Sequence, residues 1–169
     1  MTGSAPLAAA PLELVGAVVQ PDWIDYNGHM NEAYYGLIFS LATDALMDLI
    51  GIDEPFRRRT GLTLYTLESH IRYLAEAGLG APLIVATWLL DCDTKRVHVW
   101  HEMRHGTAGT RLATAEQMLI HIDTRGPRAV PFAPGPAASL AELLAAHAAL
   151  PPPEGSRGCL AIRRKEGRP

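Results

Sequence analysis

The order of apolar and polar positions divides this chain into one long helical segment and a series of strand-like runs. From Asn31 onward, Tyr34, Leu37, Ile38, Leu41, Ala42, Ala45, Leu46, Leu49 and Ile50 recur at steps of three and four, which is the spacing of one helix face. Gly51 follows as a stop. The spacing predicts a helix over residues 31–50, about 30 Å long at roughly 1.5 Å per residue. Its polar stripe of Glu32, Gly36, Ser40, Asp44 and Asp48 is narrow and partly made of small residues, so the helix must be covered over most of its circumference.

The covering material is rich in strand formers. Residues 14–20, closed by Pro21, read as a first strand. Residues 55–59 read as a basic connection, and residues 62–74, 82–91, 96–104 and 112–123 then carry strand character. Glu76 to Gly80, Asp93-Thr94 and His105 to Thr110 supply the turns. The run over residues 62–74 is long for a strand and is expected to bend or to hold a bulge. Beyond a Pro- and Gly-dense stretch at residues 125–136, Ser139-Leu140-Ala141-Glu142 matches the S-x-x-E capping box and predicts a second helix up to Leu150, stopped by Pro151 to Pro153. The expected architecture is α+β: a five-stranded antiparallel sheet wrapped around a long central helix, with a short C-terminal helix. Residues 1–12 read as a flexible arm, 13–133 as the domain, and 134–169 as the helix with a basic tail. In that tail Arg163, Arg164, Lys165 and Arg168 are expected to be solvated or to touch another subunit.

Composition narrows the function classes. With 169 residues, 48% hydrophobic and 20% charged, the chain fits one soluble domain, and its net charge of -3 offers no general attraction to nucleic acid or anionic membrane. No apolar run approaches the roughly 18 residues of a membrane span. The opening MTGSAPLAAAPLEL has no basic n-region and is interrupted by Pro6 and Pro11, so it does not read as a signal peptide. Cys92 and Cys159 form neither a CxxC pair nor a disulfide framework, which points to the cytoplasm.

Candidate chemistry gathers in DWIDYNGHMNEAYY, residues 22–35. Asp25, Gly28, His29 and Asn31 stand there as D-x-x-G-H-x-N at the head of the long helix. Helix starts concentrate unpaired N–H groups and the positive end of the macrodipole, so a carbonyl developing negative charge would be stabilised there. Asp25 suits a nucleophile or a general base, with N–H groups near Gly28 and His29 as oxyanion donors. The plainer alternative makes Asp25 and Asn27 turn residues and His29 a structural histidine.

The same motif followed by four strands resembles the hot-dog thioesterases of the 4-hydroxybenzoyl-CoA thioesterase type, over about residues 13–133. That resemblance implies a hot-dog fold, hydrolysis of an acyl-CoA without a cofactor, and an active site built across a homodimer or dimer-based tetramer. It places the catalytic carboxylate at Asp25 and the helix-opening turn at Gly28 and His29. It sets an Asn-Asn pair on Asn31 and Glu32, where this chain departs from the pattern. WIDYNGHMNEAYY, with ESHIRYL, DCDTKRVHVWHEM and TAEQMLIHID, is also similar to the carnitine-pathway thioesterases that hydrolyse betainyl-CoA, which occur fused to carnitine dehydrogenase as well.

Further candidates follow from that likeness. Trp23 and Tyr26 are expected to cage a trimethylammonium head, and Tyr35 to line the substrate site. Glu68 and His70 share a face of the second strand, opposite Ile71 and Tyr73, and Glu68 is a candidate to hold the acyl group or water. Arg58, Arg59 and Arg96, among other cations, are candidates for the CoA phosphates. His98 and His101 are odd-spaced on one strand and point to opposite faces, so no metal is expected. The rival readings are a broader acyl-CoA or acyl-carrier-protein thioesterase and a non-catalytic acyl-CoA-binding module.

Overall fold

The computed structural model describes residues 10–156 and 159–164. Most of the expected arm, and Lys165 and Arg168 of the tail, lie outside these residues. The elements run β1 (Leu12–Val18), α1 (Glu32–Leu49), α2 (Glu54–Thr60), β2 (Leu62–Tyr73), β3 (Pro82–Cys92), β4 (Arg96–His105), β5 (Arg111–Asp123), β6 (Arg128–Ala129) and α3 (Pro134–Ala148). The sheet is antiparallel in the order β1-β3-β4-β5-β2, with the two-residue β6 paired to β5. Strand β2 is therefore a free edge. Its register slips between Thr66 and Glu68, which is the irregularity expected of so long a strand.

Helix α1 lies against one face of the sheet, and two apolar clusters run along it. Tyr35, Ile38, Phe39 and Ala42 pack with Val85, Met103, Leu112 and Ala115 under its first half, while Leu46 and Ile50 pack with Leu89, Val97, Val99 and Leu119 under its second. Asn31 is the N-cap, its Oδ1 accepting the Ala33 N–H at 2.9 Å, a contact worth about 1 kcal/mol in typical helices. The expectation that α1 is covered on most sides fails within one chain. Leu37 and Leu41 stay 46% and 44% exposed, because β2 is the last strand on that side and nothing among the described residues wraps beyond it.

Two other expectations are corrected and one is refined. The stretch at residues 55–59 belongs to α2, where Asp53 Oδ1 accepts the Phe56 N–H at 2.7 Å and Gly61, at φ 69°, closes the C-terminal end. Ser139 does not start the last helix, because α3 begins five residues earlier at Pro134 with Ala133 as its N-cap. Proline is tolerated in a first helical turn, where its missing N–H would have had no partner. In the described tail Arg163 and Arg164 are exposed as expected, yet the segment is docked on the domain. Ile162 is buried, the Leu160 N–H points at Glu116 Oε1 (3.3 Å), and Arg164 grips Asp91 through two hydrogen bonds of 2.8 and 2.6 Å. The tail lies over the face of the sheet opposite α1, where Trp88 and Trp100 also pack.

Among the described residues no single helix is long and apolar enough to cross a membrane.

Candidate active site

The D-x-x-G-H-x-N stretch folds as a tight hairpin turn feeding α1. Gly28 donates its N–H to the Asp25 carbonyl (3.0 Å), Asp25 donates to the His29 carbonyl (3.0 Å), and Asn31 donates to the Trp23 carbonyl (2.9 Å). Gly28 sits at φ 84°, in the left-handed region that favours glycine, which explains its place in the spacing. The segment is tied to the β2–β3 connection by the Met30 N–H, which donates to the Ala77 carbonyl at 2.8 Å. That bond closes one end of a cleft.

The cleft measures about 540 Å³ and is lined by two stretches of chain: Asp25, Asn27, His29, Met30, Glu32 and Tyr35 from the motif and α1, and Tyr73 to Glu76 from the end of β2. Asp25 is half-buried at its mouth. Its Oδ1 accepts the Asn27 N–H at 2.8 Å and its Oδ2 lies 3.4 Å from Asn27 Nδ2, so the carboxylate is held in one orientation while still lining the cleft. The turn reading and the cleft reading of Asp25 thus hold together. His29 Nε2 stands 2.9 Å from Glu76 Oε2, with both side chains substantially exposed. Tyr35 is buried, donates its hydroxyl to the Ala75 carbonyl at 3.3 Å and meets Tyr73 edge to face, with ring centroids 5.4 Å apart. Burial raises the phenol pKa of both tyrosines, and the nearby carboxylates of Glu76 (for Tyr35) and Glu32 (for Tyr73) add to it. Both rings are therefore neutral phenols at physiological pH.

The expected site residues are only partly brought together. Asp25, His29 and Tyr35 line the cleft; Asn31 caps the helix behind it; Gly28 shapes the turn, but its N–H is spent on Asp25 and is not free as an oxyanion donor. Trp23 is stacked on Tyr34, with centroids 5.2 Å apart, and does not line the cleft. Tyr26 is 98% exposed at the turn's tip. Neither geometry makes the expected cage. Ser69 shares the α1 side of β2 with Gln117 and Thr43, so Glu68 points to the opposite, outer side in solvent. Arg58 and Arg59 lie on α2, at the far end of α1, where Arg58 pairs with Glu54 and Arg59 sits over the Phe56 ring at 5.7 Å. Arg96 is committed to Asp93 through two bonds of 2.9 and 2.7 Å. No lysine or arginine lines the cleft among the described residues.

Tyr73 and Glu76 were not singled out from the sequence. They reach the site through the β2–β5 register and the Met30–Ala77 bond, neither of which leaves a local pattern. The buried histidines serve the sheet. His101 bridges Thr87 Oγ1 (2.9 Å) and Thr43 Oγ1 (3.2 Å) on the α1 side, and burial holds its pKa down at about 4. His98 pairs with Glu116 at 2.9 Å on the other side, so the two do point to opposite faces.

Comparison with known proteins sets this geometry in a class. A Staphylococcus aureus protein solved in complex with CoA superposes with a TM-score of 0.81 at 28% identity, covering 91% of this chain and 98% of that one. The fold is the α+β hot-dog fold. The model of the thioesterase-like superfamily matches residues 19–145, and the chain belongs to that family of thioester hydrolases. The chain is 47% identical over 137 residues to the betainyl-CoA thioesterase of Pseudomonas aeruginosa, covering 81% of this chain and 86% of that protein. It is also 40% identical over 149 residues to the L-carnitine dehydrogenase/betainyl-CoA thioesterase of Rhizobium meliloti, covering 88% of this chain and 30% of that longer protein.

Proposed function

We propose that this protein hydrolyses betainyl-CoA to betaine and CoA, with Asp25 as the carboxylate that drives attack on the thioester carbonyl. The observation that carries the reading is the cleft itself: Asp25 is held by Asn27 at the start of α1, in a cavity lined by carboxylates and phenol rings and free of lysine and arginine. A cationic acyl group suits that lining, and the identity to the Pseudomonas aeruginosa enzyme supports the same substrate. Asp25 either adds to the carbonyl carbon, giving a mixed anhydride that water then opens, or takes a proton from the water that adds. In both routes the tetrahedral oxyanion collapses and expels CoA as its thiolate. The Glu32 N–H, in the first turn of α1 and without an internal acceptor among the described residues, is the candidate donor to that oxyanion. His29, oriented by Glu76, positions substrate or water. No cofactor is needed for this chemistry.

The chain acts as a homodimer or a dimer-based tetramer. The free β2 edge exposes Tyr65 and Leu67, and α1 beside it exposes Leu37 and Leu41, a surface that pairing with a second copy would cover. An antiparallel pairing of β2 with its own copy sets the Leu62 end of one strand beside the Tyr73 end of the other. It thereby carries the partner subunit's Arg58 and Arg59 toward the cleft, where the CoA phosphates need cations. Both cysteines are free, which suits a reducing cytoplasm.

Thiol release from a panel of betainyl-, acetyl- and longer acyl-CoA thioesters tests the reading. Betainyl-CoA is expected to show the highest kcat/KM. A flat panel favours the broader thioesterase, and no release from any member favours a binding module. Single-turnover hydrolysis in oxygen-labelled water, followed by mass analysis of Asp25, separates direct attack (label in the side chain) from base catalysis (none).

A further inference from the structure

In a betainyl group one methylene separates the quaternary nitrogen from the thioester carbonyl. The cation must therefore sit in the same cleft as the attacking carboxylate, which removes Trp23, stacked outside it on Tyr34, and Tyr26, exposed at the tip of the turn. A trimethylammonium group has no N–H to donate, so it is held by aromatic faces and by carboxylates at a distance. The cleft offers one place with both. Tyr73 rises from the end of β2, 51% exposed, with its hydroxyl 3.5 Å from the Glu32 carbonyl, and its perpendicular contact with the Tyr35 ring covers at most one of its two faces.

The Glu32 side chain has no basic partner among the described residues, whereas Glu76 is paired with His29. An unpaired carboxylate lining the same cleft as Asp25 repels an anionic acyl group and gains nothing from a neutral one. It is compensated only when the acyl group brings a positive charge.

We propose that Tyr73 and Glu32 hold the trimethylammonium head, with Tyr35 as the floor of the cage, and so set the preference for a cationic acyl group. The assignment rests on the betainyl-CoA reading and fixes where its selectivity resides.

The test compares betainyl-CoA with 3,3-dimethylbutanoyl-CoA, in which a tert-butyl group has the same shape without the charge. The wild-type protein is expected to favour betainyl-CoA by at least about tenfold in kcat/KM, and Glu32→Gln and Tyr73→Leu each to reduce that ratio by about tenfold, the size of one good cation contact. Glu32→Asn serves as a second charge-neutral variant, and thermal melts establish that each protein is folded. If the folded variants keep a ratio within about twofold of wild type, this site is overturned while the betainyl-CoA reading stands. If wild-type protein does not hydrolyse betainyl-CoA at all, the reading falls and the site with it.

Discussion

At its C-terminal end α1 runs into packed side chains, with Leu46, Ile50, Ile52, Phe56, Leu140 and Leu143 all buried and drawn from three helices and the links between them. Several polar groups there are paired, with Asp53 capping α2, Thr60 Oγ1 donating to the Phe56 carbonyl at 2.8 Å and Arg58 holding Glu54, while Asp44, Asp48 and Arg57 line a second, smaller hollow of about 310 Å³. At its N-terminal end the same helix meets open space. Asp25 and Glu32 face a cleft, Tyr73 stands half in solvent, and the His29–Glu76 pair is exposed. One end is therefore mainly packed core, and the other turns Asp25 and Glu32 into the 540 Å³ cleft without a basic partner among the described residues, which is the pattern of a site that waits for a substrate. The difference predicts that substitutions at the two ends will separate folding from turnover.

On the stability scale the largest effect belongs to the packed end. Leu143→Ala is expected to lower unfolding free energy by about 2–5 kcal/mol in urea titrations, while kcat/KM measured well below the new melting temperature stays near wild type. A mid-sized effect comes from the sheet between the ends. His101 has a folded-state pKa of about 4 against an ordinary value of 6.5, so the unfolded chain binds more protons between those values. Stability accordingly falls as pH drops from 6.5 toward 4, by at most about 1.4 kcal/mol per pH unit from this residue, and levels off below. His101→Gln is expected to flatten that slope in pH-resolved melts; an unchanged slope would assign it to other groups. The smallest effect sits at the open end, where Asn31→Ala is expected to cost about 1 kcal/mol through loss of the Ala33 cap.

What could be read from the chain beforehand followed the range of each signal. Period-three-and-four spacing located α1 to within a residue at each end, and runs of strand formers bounded by turn residues located β2 to β5 as well, with β3 to β5 buried on both faces over most of their length. Local punctuation misled where it had more than one meaning. Pro134 and Pro136 read as loop but open α3, and the Ser139–Glu142 spacing read as a cap but lies inside it. Asp25 and His29 were legible because a turn glycine and a helix start mark them. The opposite wall, Tyr73 to Glu76, was not legible, since only the strand register brings it over the motif. Aromatic residues inside the motif looked like the natural cage, yet Trp23 found its partner in Tyr34 and Tyr26 faces solvent.

The separation of the two ends is tested most directly by Asp25→Asn, assayed for thiol release from betainyl-CoA and for melting temperature on the same preparation. The substitution keeps the shape of the side chain and its contact with the Asn27 N–H, but removes the charge. Turnover is expected to fall by about a thousandfold or more with the melting temperature unchanged within a few degrees. A folded Asp25→Asn protein that releases CoA at the wild-type rate would contradict the account.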